Sequence, residues 1–207
     1  PWMAKRQQMI PSDTLPTPQE RLELFETARN LFLWDNYVEI GIDHFAIPED
    51  SLAVAQKAGK LRRNFQGYTD DRSQVLIGVG ASSISRFPQG YAQNHPSTGA
   101  HTAAIRDGHF STARGHVFSA DDKLRGRIIE MLMCDFAIDS EELLECYDVS
   151  REQLENMLDK VETTFPGILN RKGLDISIPP KARPLTRIIA RSFDAYDLSK
   201  AGHSSAI

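Results

Sequence analysis

The chain has 207 residues, 41% of them apolar and 25% charged, which is the make-up of an ordinary globular protein with room for one or two domains. A formal net charge of −4 and the lack of any dense lysine–arginine run argue against nucleic acid as a partner. No apolar stretch approaches a membrane span, Pro1 to Lys5 lack the apolar core of a secretory signal, and the two cysteines, Cys134 and Cys146, make neither a disulfide framework nor a four-cysteine metal site, so the expected setting is cytoplasmic, away from membranes.

The chain enters at Pro1 directly into a loop holding Pro11, Pro16 and Pro18, which leads us to expect a removed leader or a piece of a longer protein. Thr17-Pro18-Gln19-Glu20 has the form of a capping box with proline at the first helical position. A helix is predicted from there to about Asp35, with Leu22, Phe25, Ala28, Leu31 and Phe32 at helical spacing. Val38, Ile40 and Ile42 alternate as a short strand ending in Asp43-His44-Phe45-Ala46. A helix feeding a strand with polar residues at its carboxyl end reads as one unit of a parallel α/β barrel or sheet. A shorter helix is predicted over Ser51 to Ala58, closed by Gly59.

Asn64-Phe65-Gln66-Gly67-Tyr68-Thr69 and Leu76 to Ser85 follow, read as two extended segments meeting at a turn. Gly78 and Gly80 alternate with Ile77 and Val79, and Ser82, Ser83 and Ser85 crowd behind them. Glycine inside a strand marks a bulge or a close approach of ligand to backbone, so this run either lines a pocket or makes a tight strand crossing. Arg62 and Arg63 precede it; on a strand they point to opposite faces, and the inward one either clamps a carboxylate or is a surface charge. Asp43 beside His44 either supports acid–base work or is a structural pair.

From Arg86 to His116 no periodicity survives, and a long connection is predicted. His95, His101, His109 and His116 lie in it without metal-site spacing and read as solvated loop residues. Beyond it, Ser119 caps a helix with Leu124, Ile128, Met131 and Leu132; a short helix spans about Ser140 to Tyr147; and the capping box Ser150-Arg151-Glu152-Gln153 opens another helix. Ile168-Leu169 and Asp175 to Ile178 flank Arg171-Lys172-Gly173 as a hairpin, and Pro184 is expected to open a last helix. This order is that of a winged helix, with a domain boundary near residue 118, so residues 1–118 and 119–207 are expected as two domains. From Ser119 to Tyr196 eleven lysines and arginines face fifteen aspartates and glutamates, which favours a lid or structural role over DNA binding. Cys134 and Cys146 are expected to be buried structural thiols.

Taken together, Gly41-Ile42-Asp43-His44-Phe45-Ala46, Arg63-Asn64-Phe65-Gln66-Gly67-Tyr68-Thr69, Gly80 to Ser85 and Tyr91-Ala92-Gln93-Asn94 resemble the C-terminal part of the oxygen-independent coproporphyrinogen III oxidases, a radical S-adenosylmethionine family. The resemblance implies an α/β fold: the C-terminal unit of a partial, TIM-like α/β barrel plus a mainly helical, winged-helix-like C-terminal domain. It implies an oxidoreductase of porphyrin and haem biosynthesis that decarboxylates two propionates of coproporphyrinogen III to vinyl groups, giving protoporphyrinogen IX. The implied cofactors are S-adenosylmethionine and a 4Fe-4S cluster. The cluster's three-cysteine motif is missing from this chain, so the chain alone is expected to be inactive and to hold no metal. The implied partners are coproporphyrinogen III and the missing N-terminal part of the same protein, within a monomer. By position Ile84 would pack on S-adenosylmethionine, and Arg63 is the candidate for a substrate carboxylate. The alternative is a non-enzymatic tetrapyrrole- or protein-binding module with a winged-helix-like domain.

Overall fold

The computed structural model describes Pro11 and residues 14–196. Helix α1, Pro18–Trp34, starts where the capping box puts it: the Thr17 hydroxyl accepts the Glu20 N–H at 3.3 Å and the Glu20 carboxylate accepts the Thr17 N–H at 2.7 Å. None of its residues is buried. It is tied to the next strand by a two-pronged bond from Arg29 to Glu39, 2.6 and 2.8 Å long.

Strand β1, Val38–Ile40, is shorter than its alternation predicts, and it pairs antiparallel with β2, His44–Ala46. The chain turns back at Gly41, φ 57°, which takes Asp43 and His44 off the end of a strand and into a hairpin. Every strand pairing among the described residues is antiparallel, so the parallel neighbour expected of a barrel unit is not among them. Gly41 has a second reason to be glycine, since a Cβ there would sit 2.0 Å from the Tyr68 ring. Helix α2, Ser51–Lys57, is capped by Asp50, and its Gln56 brackets the hairpin, donating to the Glu39 carbonyl at 2.6 Å and accepting from the Gly41 N–H at 2.8 Å.

Asn64 to Thr69 is not an extended segment. Strands β3, Arg62–Arg63, and β4, Tyr68–Thr69, form a minimal hairpin, and residues 64–67 are its turn. The Asn64 side-chain oxygen accepts the N–H groups of Gln66 at 2.8 Å and Gly67 at 3.2 Å, an Asx arrangement that competes successfully with strand geometry.

The expected long connection is a folded unit. Strands β5, Ile84–Phe87, β6, Gly90–Asn94, and β7, Thr112–Val117, make an antiparallel sheet in that order, with helix α3, Thr98–Arg106, between the last two. Its residues carry no apolar alternation because neither face is packed on a core: between residues 64 and 118 Gly90 and Ser111 are the two buried positions.

The remainder is compact. Helix α4, Ala120–Asp135, has a Ser119–Asp122 capping box and ends at Phe136 in the left-handed region. Strand β8, Ala137–Ile138, helix α5, Ser140–Cys146, and helix α6, Arg151–Thr164, follow. The hairpin pairs β9, Asn170–Lys172, with β10, Asp175–Ser177, so its first strand starts after Leu169 and the turn is at Gly173-Leu174. Strand β10 lies between β9 and β8. Pro184 does not open a helix; it sits inside a 3-10 helix, Pro180–Leu185, and α7, Thr186–Arg191, begins behind it. A 3-10 turn started by Pro180 absorbs the second ring that an α-helix interior would reject.

The main core joins Leu124, Ile128 and Leu132 of α4 to Leu154 and Leu158 of α6, Ile176 of β10 and Ile189 of α7. A smaller cluster holds Ile40, Ala53 and Leu61, and its fourth buried member, Cys134, comes from α4. Tyr68 strengthens that junction: its hydroxyl accepts the Ile42 N–H at 2.9 Å and donates to the Met133 carbonyl at 3.0 Å.

Candidate functional site

An open cleft of about 360 Å³ lies between the β3–β4 turn and the run leading into β5, lined among others by Phe65, Gln66, Ile77, Gly78, Ser82 and Ile84. The sequence posed pocket and strand crossing as alternatives for the glycine run; the structure has both. A Cβ on Gly78 would lie 2.7 Å from the Ile84 carbonyl oxygen, so a residue with any side chain would push the two segments apart. Gly80 follows at φ 102°.

The serines have a different role from the one their small size suggests. Ser85 accepts the Gly78 N–H at 3.0 Å, and the Ser83 hydroxyl lies 2.6 Å from the Val79 carbonyl oxygen and 2.7 Å from that of Gly80. Asn94 also donates to the Gly80 carbonyl, at 2.9 Å. These bonds hold the loop's shape. The cleft wall is mixed, with Phe65, Ile77 and Ile84 beside Gln66, Ser82 and Ser83. Val79 and Ile77, 90% and 62% exposed, stand as an uncovered apolar rim. Phe65 and Gln66 were not read as site residues. The signal was available in the adjacency of the two motifs, but only the turn brings them opposite Ile84.

Arg63 is not part of this lining. Its backbone N–H donates to Glu130 at 3.2 Å, its guanidinium lies 5.6 Å from the Tyr68 ring, and its Nε is buried without a hydrogen-bond partner among the described residues. Ile84 and Arg63 therefore flank the turn from different sides. On Arg63's side lies His44, whose ring meets Tyr68 edge-on at 5.1 Å and whose Nδ1 is 2.7 Å from Asp43; the other oxygen of Asp43 accepts from Arg187. This pair sits at a hairpin turn rather than at a strand's carboxyl end.

Two of the histidines expected in a solvated loop lie instead in α3 and β7 and have side-chain partners. His101 bonds Ser111 at 2.8 Å, and His116 sits 3.3 Å from Asp122 and 3.0 Å from the Tyr196 hydroxyl. Among the described residues no group of three histidine, cysteine or acidic side chains is placed to hold a metal ion. Burial pushes the Cys134 thiol up to about 12, which leaves it protonated and a poor nucleophile near neutrality. Cys146, expected to be buried, is exposed at the carboxyl end of α5.

No protein-family model matches the chain. It is 63% identical over its whole length to an oxygen-independent coproporphyrinogen III oxidase of Paracoccus denitrificans, covering 46% of that protein. A second such oxidase, from Cereibacter sphaeroides, is 55% identical over 96% of the chain, which covers 44% of it. The solved coproporphyrinogen III oxidase of Escherichia coli, described as a radical SAM enzyme, superposes with a TM-score of 0.85 at 32% identity, over 92% of this chain and 44% of that one. The chain thus spans about half the length of the curated relatives it matches.

Proposed function

Since the chain is a relative of the oxygen-independent coproporphyrinogen III oxidases along its whole length, we propose that it is the C-terminal part of such an enzyme. In that protein it would close the site in which two propionates of coproporphyrinogen III become vinyl groups. The observation that carries this reading is the 63% identity to the Paracoccus oxidase over all 207 residues. S-adenosylmethionine bound at a 4Fe-4S cluster would supply the radical chemistry; the cluster's ligands would come from the part of the relatives that this chain does not cover.

The chain's own contribution is shape, apolar cover and charge. Ile84 and Phe65 offer an apolar surface for the S-adenosylmethionine, Gln66 offers an amide, and both keep water from the reacting atoms. Arg63, with its orphaned Nε, is the candidate for a substrate carboxylate.

The missing part is also the partner we infer for the bare apolar surfaces. Leu24, Leu31 and Trp34 line one stripe of α1 and are 61%, 63% and 85% exposed, which is unusual for a helix with a capping box and a helical apolar period. With β1 open on the edge away from β2, they make a surface on which further helix–strand units of a partial barrel would pack. The order α4, β8, α5, α6, β9, β10 supports reading the residues after about 118 as a winged-helix-like domain in a lid role.

The test is a chimaera: this chain joined behind the segment of the Paracoccus relative that it does not cover, assayed anaerobically beside the chain alone. Conversion of coproporphyrinogen III by the chimaera and none by the chain alone is the expected outcome. A folded, cluster-loaded chimaera without activity would overturn the proposal.

A further inference from the structure

Asp43, His44 and Arg187 form a relay that nothing above uses. Asp43 lies in the β1–β2 turn and accepts from Arg187 of α7, residues 144 apart in sequence. Its other oxygen is 2.7 Å from His44 Nδ1. A carboxylate on Nδ1 fixes a proton there and aims Nε2 outward, where it accepts in the neutral ring and donates in the imidazolium. Nε2 has no hydrogen-bond partner among the described residues. It lies near the turn at Gly67, where an added Cβ would be 3.9 Å away, in ordinary contact.

Two guanidiniums and two carboxylates surround the imidazole. Arg63 lies over the Tyr68 ring that His44 meets edge-on, and Arg187 stands behind Asp43. The acidic groups facing this spot, Asp43 and Glu130, are already engaged, by Arg187 and His44 in one case and by Arg127 and the Arg63 N–H in the other. The imidazole is half-exposed, as an imidazole that receives a ligand must be. One residue along the same turn, Gln66 and Phe65 already line the cleft.

We propose that His44, held by Asp43 and Arg187, receives a carboxylate arm of the tetrapyrrole as the doubly protonated imidazolium, whose Nε2–H donates to the arm while the substrate lies beside the Phe65–Ile84 cleft. This rests on the proposed function and adds a substrate-orienting residue to it. S-adenosylmethionine also carries a carboxylate, so the test must separate the two sources.

Coproporphyrin III, the stable oxidised form of the substrate, is titrated into the chain and followed by its fluorescence, beside S-adenosylmethionine by calorimetry and a tetracationic porphyrin without carboxylates. His44→Ala should weaken coproporphyrin III binding by roughly 10- to 100-fold, the range for one hydrogen bond to a charged group. His44→Gln, which keeps an N–H near Nε2, should recover part of the loss, and the cationic porphyrin should be indifferent to both. Equal thermal midpoints for the variants would show that the loss is one of recognition. Unchanged coproporphyrin III binding in His44→Ala overturns this inference and leaves the proposed function standing. A loss confined to S-adenosylmethionine overturns it by assigning the imidazole to the cofactor. A wild-type chain with no saturable affinity for coproporphyrin III counts against the reading on which it rests.

Discussion

Residues 119–196 and residues 64–118 are stabilised in opposite ways. The first region buries Ile128, Leu132, Leu154, Leu158 and Ile189 completely and encloses them with four helices and a small sheet. The second buries no apolar side chain at all and is held by strand ladders, an Asx turn and the hydroxyls of Ser83 and Ser85. A region with its own core can fold on burial alone, whereas one without it must borrow burial from elsewhere. The borrowed surface lies partly in the chain, through Tyr68 and Cys134, and the exposed Ile77, Val79 and α1 stripe mark where more is expected.

The comparison breaks most visibly under cavity-forming substitutions. Ile128→Ala should cost about 2–5 kcal/mol of unfolding free energy, while Val79→Ala should stay within about 0.5 kcal/mol. Equal shifts in urea midpoint would show that the second region is packed as tightly as the first. The junction itself is sharpened by Tyr68→Phe, which leaves the Ile42 N–H and the Met133 carbonyl without their partner. It should cost about 1–3 kcal/mol, and hydrogen exchange should report faster opening at Ile42 than in α6. Uniform acceleration everywhere would mean that Tyr68 supports the whole fold.

The smallest effect tests the electrostatics at the edge of the larger core. Hydrogen bonds from Arg127, at 2.6 and 3.0 Å, hold the Glu142 carboxyl below its ordinary value of 4.5. A carboxyl lowered by folding stabilises fully above its unfolded value and loses that contribution as the pH falls through the folded one. Glu142→Gln should therefore be slightly less stable than wild type at pH 6, and the gap should close as the pH falls below 4.5 and through the lowered folded-state value. A gap that does not narrow over that range, measured by thermal midpoints, would show that packing and not charge sets the effect.

The larger core could be read from the sequence because its helices carry both their stop signals and their apolar periods. Ser119 and Ser150 cap where the pattern places them, and Leu154, Leu158 and Val161 fall on one buried face. The β5–β6–β7 unit could not be read, for a physical reason: strand alternation records a half-buried sheet, and this sheet has no buried apolar face to record. The Asn64–Gly67 turn was misread as strand because Phe65 and Tyr68 look like strand residues, while the Asn64 side chain supplies the turn. Ile84 was reached through resemblance, and Phe65 and Gln66 joined it only once the turn was folded.

What the sequence determined by itself, then, is local: where helices begin, which faces are apolar, that Gly78 and Gly80 mark a close approach, and which family the motifs resemble. Those signals are carried by neighbours a few residues apart, within reach of a cap, a turn or a helical period. Tertiary structure alone decided that Tyr68 would bridge Ile42 and Met133, that Cys134 would join the smaller core, and that Asp43 would sit between His44 and Arg187. Contacts between residues so far apart leave no periodic trace along the chain, because they depend on the geometry of the folded whole and not on the spacing of any one segment.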